Sequence, residues 1–150
     1  MKPPFKLIAS FLGILLLIIV LIKLLFSVYQ VASNSMEPTI NKDDYIIVSR
    51  FHYNVFEPNR NDIVLFEPIE GIFNIGPWTH RVIAIEGDSV SVKDNFVSVN
   101  GNDILFPKVK YENLSVKVQK DFIFQKGDSE KTIIGEVHKE KIIGKVILIF

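Results

Sequence analysis

From Leu7 to Ile22 the chain reads LIASFLGILLLIIVLI without a charge, and beyond Lys23 it continues as LLFSV to Val28. At about 1.5 Å rise per residue, a helix of this length crosses roughly the 30 Å hydrocarbon core of a bilayer. The expected layout is therefore a cytoplasmic tip and transmembrane anchor over 1–28, followed by one domain over 29–150. Lys2 and Lys6 precede the span, and Lys23 can snorkel to the far interface. The positive-inside rule then favours an N-terminus in the cytoplasm, a single pass through the cytoplasmic membrane and an extracytoplasmic domain. A cleaved signal peptide is the competing reading, but the apolar run exceeds what an h-region needs and Gln30 would fall at −3 for cleavage after Ala32.

About 120 residues after the span can bury one modest core. Three of the 17 basic residues lie before residue 29 and none of the 17 acidic ones does, so the remainder carries −3. No nucleic-acid partner is expected, since a nucleic-acid surface requires the opposite sign. The chain has no cysteine, which rules out disulfides, thiolate zinc sites and a cysteine nucleophile. Neither a metal nor a cofactor is expected.

Past the span the pattern changes to period two. The segments 44–50 (DYIIVSR), 62–66 (DIVLF), 79–85 (THRVIAI), 89–92 (SVSV), 96–99 (FVSV), 121–125 (DFIFQ) and 145–150 (KVILIF) read as strands. Lys93-Asp94-Asn95 is a short hairpin connection and Asn100-Gly101 a turn. The expected fold class is mainly β: one transmembrane helix, then a small, mostly antiparallel β domain, with coil at 51–61 and 67–78.

Two polar segments stand out against this frame. VASNSMEPTI, residues 31–40, follows the span directly, and Pro38 and Thr39 give it a shaped turn rather than a slack linker. A serine hydroxyl attacks only when a base takes its proton and donors meet the oxyanion. Far along the chain His80 lies in a predicted strand beside Arg81, on the face opposite Thr79, and imidazole suits proton abstraction near neutral pH. A partly buried strand histidine with a satisfied hydrogen bond would read the same way. His52 and His138 fall in loop-like or charged surroundings.

Together these segments resemble the type I signal peptidase family. SNSMEPT resembles its nucleophile box, NDIVLFEP its next, structural box and HRVIAIEGD the box that carries the base; VSVNG and GEV with KIIGKVILIF resemble its hairpin and closing strand. The resemblance implies that Ser35 is the nucleophile, that its own amide and the Ser33 hydroxyl form the oxyanion hole, and that His80 is the base. Most bacterial members carry lysine before this arginine, so His80 is similar to the variant in archaeal and endoplasmic-reticulum enzymes and implies a serine–histidine mechanism. The polar cluster near the C-terminus is abbreviated, leaving Asp128 to orient His80, with Glu130 as the substitute and a plain turn role for Asp128 as the alternative. Asp88 reads as a turn residue.

The family's substrates are signal peptides of preproteins, with small residues at −1 and −3, so shallow apolar pockets beside a strand edge are expected. Val31, Ala32 and Met36 are candidates for pocket wall, with Met36 equally suited to core packing, and Thr79 lies on the pairing strand. Phe73, Ile75 and Trp78 suit a bilayer interface if exposed and cap the core if buried. Membrane lipid is thus a further partner, and contact with the secretion machinery stays open. Two other classes share such a fold: a membrane-tethered, non-catalytic assembly or binding factor, and a self-cleaving repressor-type protease. The anchor and the missing DNA-binding helices speak against the second.

Overall fold

In a computed structural model of the chain, residues 5–68, 76–110, 113–130 and 132–150 are described. Phe73 and Ile75, expected near the base strand, lie outside the described residues. Helix α1, Phe5–Leu25, carries its apolar stretch Leu7–Leu25 with none of it buried against protein, and it is long and apolar enough to cross a membrane. It stops earlier than the apolar run does. Phe26–Gln30 is strand β1, because Phe26–Ser49 and Tyr29–Ile46 pairing with the next strand offers this stretch ladder bonds that a longer helix would forgo.

The other strands are β2 (Tyr45–Ser49), β3 (Ile63–Phe66), β4 (Trp78–Ile85), β5 (Ser89–Lys93), β6 (Phe96–Val99), β7 (Asn102–Lys108), β8 (Leu114–Lys117), β9 (Phe122–Lys126), β10 (Ile134–His138) and β11 (Ile142–Ile149). They form a seven-stranded sheet in the order β1-β2-β11-β3-β4-β9-β10 and a four-stranded sheet in the order β7-β6-β5-β8. Every described pairing is antiparallel. Between β5 and β6 the turn is Asp94-Asn95, and between β6 and β7 it is Asn100-Gly101; all four residues have positive φ, the geometry that suits two-residue hairpins of right-handed twist.

Three apolar clusters hold the domain together. One joins the four-stranded sheet to the far ends of β4 and β9 through Ile83, Val90, Val97, Val99 and Phe124. A second packs Val31, Met36 and Ile40 against Ile46, Val48, Leu65 and Val146. The third, Val64, Phe66, Val82, Ile123 and Val137, lies under β3, β4 and β9. The second and third clusters flank the segment that carries the polar residues singled out above.

Candidate active site

The segment after β1 is held at both ends by backbone bonds. Val31 N donates to Asp44 O at 2.9 Å and Asp43 N to Val31 O at 2.8 Å, closing residues 31–44 into a loop at the sheet's end. Met36 and Ile40, both wholly buried, pin that loop into the second cluster. Met36 is therefore a core residue and does not line the groove described below, which corrects its candidacy as pocket wall. Its unbranched side chain reaches down from the loop, and burying it stabilises the fold by roughly 1.5–3 kcal/mol. With Met36 turned inward, Ser35 faces outward and half-buried, and Ser33 Oγ donates to Ser35 Oγ at 3.2 Å.

The second wall comes from the start of β4. On one face of this strand Trp78 and His80 lie opposite Phe66 and Val64 of β3, and the His80 ring is 5.8 Å from the centroids of both Phe66 and Trp78. His80 is only 4 % exposed. Its Nδ1 is hydrogen-bonded to the side-chain carbonyl oxygen of Gln125 on β9. Burial pushes the imidazole down from its ordinary value to about 4; Lys126 adds to this, whereas the Gln125 bond and Asp128 oppose it. At neutral pH the ring is uncharged, the state a base requires.

Asp128 does not orient His80. Its carboxylate forms a bidentate pair with Arg81, Nε to Oδ1 at 2.8 Å and Nη2 to Oδ2 at 2.6 Å, and accepts from Thr39 Oγ1 at 2.5 Å. Arg81 points to the face opposite His80, so the carboxylate that follows it is drawn off the imidazole and ties β4 to the nucleophile loop and the segment after β9. Nor is Glu130 the substitute: it is exposed and pairs with Lys108 at 3.4 Å. Asp88 closes its turn by accepting from Ile85 N at 2.9 Å, but it also binds Arg60 and Asn100. Burial would raise its carboxyl, yet these bonds outweigh that and hold it below the usual range.

The segment 127–132 packs directly on the nucleophile. Ser129 N donates to Ser35 O at 3.1 Å, and a Cβ on Gly127 would collide with that same carbonyl oxygen and with Thr132. Lys126, 1 % exposed, donates from Nζ to Gly127 O at 2.6 Å and Ser129 O at 3.3 Å, and burial pushes its amine down to about 8 against the pull of Asp128 and Glu130. Sequence reasoning had missed Gln125 and Lys126. Their signal was two polar residues ending an apolar strand run, FIFQK, that turns out to be buried on both faces.

These walls enclose an open groove of about 960 Å³. Val31, Ala32, Ser33 and Ser35 line one side, Trp78, Thr79 and His80 another, and Ser129 and Thr132 a third, with Ile46 and Leu65 among the apolar lining. Trp78 is half-buried, its ring edge-on to Phe66. His52 and His138 lie outside this groove, each half-buried against aromatic rings. The structure thus brings Ser33, Ser35, Thr79 and His80 to one cavity. Among the described residues no hydrogen bond joins Ser35 to His80, which is common for such pairs before substrate closes on them.

A probable signal peptidase I-2 of Synechocystis is 32 % identical over 134 residues, covering 80 % of this chain and 61 % of its own length. Signal peptidase I of Leptolyngbya laminosa is 28 % identical, covering 80 % and 66 %. The chloroplastic thylakoidal processing peptidase 1 of Arabidopsis thaliana is 28 % identical over 79 % of this chain and 40 % of its own. The chain spans about six-tenths of the length of the first of these relatives. The profile of the family described as signal peptidase, peptidase S26, matches residues 5–150, from the apolar helix to the last residue. With that match over nearly its whole length, the chain belongs to the S26 signal peptidase family.

Proposed function

We propose that the chain is a membrane-bound serine endopeptidase that removes signal peptides from exported preproteins. The carrying observation is the meeting of Ser33, Ser35 and His80, from segments 45 residues apart, at one groove beside a strand. In this reading Ser35 Oγ attacks the carbonyl carbon of the small −1 residue, and the bond to the +1 nitrogen breaks. His80, neutral because it is buried, takes the Ser35 proton and later returns it to the leaving amine. Ser35 N–H and Ser33 Oγ–H supply the oxyanion donors, and Ser33 already stands within reach of the Ser35 oxygen.

Substrate recognition follows from β4. Its residues 78–80 pair with β3 on one side, while the described pairing with β9 begins only at Arg81. An extended peptide laid in the groove can add to the open side of Trp78–His80, with Val31 and Ala32 of the lining limiting its −1 and −3 side chains to small ones. The apolar helix would hold this groove outside the cytoplasmic membrane, the N-terminus remaining inside.

The test is incubation of the detergent-solubilised full chain with a preprotein, with the new N-terminus mapped. Cleavage at a small-x-small site, lost in Ser35→Ala and His80→Ala and reduced about 10²–10³-fold in Ser33→Ala, is the expected result. Undiminished cleavage in Ser35→Ala would remove the reading.

A further inference from the structure

Among the described residues, the base has an amide for its partner. The two carboxylates that could have served are engaged elsewhere, Asp128 with Arg81 and Thr39, Glu130 with Lys108. Gln125, 3 % exposed, stands one strand over on β9, and the register that pairs Val82 with Gln125 puts it diagonal to His80 on the same face. We propose that Gln125 is the positioning residue of the base: its carbonyl oxygen fixes the His80 tautomer with hydrogen on Nδ1, leaving the Nε2 lone pair for the Ser35 proton. This rests on the serine–histidine reading above.

The choice of an amide has a chemical logic. An imidazole must be held in one tautomer to serve as base, and any carbonyl oxygen within reach of Nδ1–H can do that. A carboxylate would also stabilise the imidazolium and raise its pKa, by one unit or more when opposed at close range. The amide orients without adding charge. The charged groups close enough to act on the ring are Lys126 at the end of β9 and Asp128 after it. The side chains packed on it from β3 and β4, Phe66 and Trp78, are uncharged, and Glu37 and Glu130 line the groove into which it opens. Gln125 is thereby suited to a base that stays neutral in a mildly acidic medium, where a carboxylate-paired imidazole would already be protonated.

Two measurements on the full chain in micelles test this. The first needs no variant: nitrogen-15 NMR of histidine-labelled protein, with His80 assigned from the spectrum of His80→Ala, should show hydrogen on Nδ1 at pH 7. Hydrogen on Nε2 would overturn the proposal. The second is the pH profile of preprotein cleavage. Gln125→Glu should keep the tautomer but move the acid limb of kcat/KM up by about one pH unit or more. Gln125→Leu should lower kcat about 10–100-fold with KM little changed. Wild-type kcat and an unmoved acid limb in both variants would overturn the positioning role alone, provided His80→Ala is inactive. Full activity in His80→Ala would remove the base itself, and the serine–histidine reading with it.

Discussion

The two sheets bury different things. Among the described residues between Ser89 and Lys117 the buried ones are apolar, Val90, Val92, Val97, Val99 and Val109 among them, and β5 and β6 alternate inward and outward with period two. In the seven-stranded sheet and the loop that follows β9, His80, Arg81, Gln125, Lys126, Asp128 and Thr132 are all buried, each with a hydrogen-bond partner. An apolar interior tolerates small losses, because each methyl removed costs about 1 kcal/mol and leaves nothing stranded. A polar interior behaves otherwise: removing one member leaves the other desolvated and unpaired. The site therefore lies where the fold is most sensitive to single changes, and the hairpin sheet serves as its inert backing.

That contrast is sharpest at the Arg81–Asp128 pair. Asp128→Ala strands the guanidinium on a 1 % exposed carboxylate's former site and releases Thr39, so it should cost about 3–5 kcal/mol in urea unfolding. Cleavage should fall with it, since the segment touching Ser35 loses its tie. A loss below about 1 kcal/mol would show that the pair is no more than a surface contact.

Next in size is His80 itself. Folding lowers its pKa from an ordinary 6.5 to about 4, so below pH 6.5 the unfolded chain binds more protons than the folded one. Stability attributable to this ring is complete above pH 6.5 and declines as the pH falls toward 4, by roughly 3 kcal/mol in all. Urea midpoints of wild type and His80→Asn, compared at pH 7 and pH 4.5, isolate it from the carboxylates that titrate in the same range. Parallel declines would place the His80 ring in contact with water.

The smallest expected effect is in the hairpin sheet. Asn95 has φ 66° in the β5–β6 turn, and Asn95→Ala should cost about 1 kcal/mol from left-handed backbone strain alone, with cleavage unchanged. Asn95→Gly should cost less or nothing. A loss of cleavage in either would mean that the cluster joining the two sheets passes the strain on to β4 and β9.

How the strands could be read from sequence follows a geometric line. The seven period-two segments correspond to β2, β3, β4, β5, β6, β9 and β11, which are the inner strands of the two sheets. The four strands missed by periodicity are β1, β10, β7 and β8, the four edges. An inner strand is constrained on both flanks and at least one face, so its composition is held to β-branched and aromatic residues; an edge is paired on one flank only and admits others. Thus β7 tolerates Pro107, and β10 holds Gly135 and Glu136. In β1 the failure was different, since Phe26 and Val28 are exposed apolar residues that continue the composition of α1 without a break.

The candidate site was legible to the extent that chemistry is carried by residue type in a short segment: Ser33, Ser35 and His80, which meet at one groove, could be singled out. Partners assigned by nearness in sequence could not. Asp128 was the acid closest to hand, but Arg81 on the adjacent position outcompetes a neutral imidazole for a carboxylate, because a bidentate guanidinium pair is charge-assisted on both sides. Gln125 required the strand register, which periodicity does not supply.

The helix ends at Leu25 and β1 begins at Phe26, with Arg50 N donating to Leu25 O at 2.9 Å at the junction. There is no leash. Five paired residues at about 3.3 Å each place Gln30, one of the groove's lining residues, roughly 17 Å along the sheet from the helix end. A domain on a flexible linker samples a hemisphere of positions, whereas here helix and strand follow one another with no residue between them and a backbone bond at the turn. On the membrane-bound reading proposed above, the helix would act as a gauge as well as an anchor: it would set the height above the bilayer at which a peptide bond is reached, and a few glycines at the junction would detach that height from the thickness of the membrane.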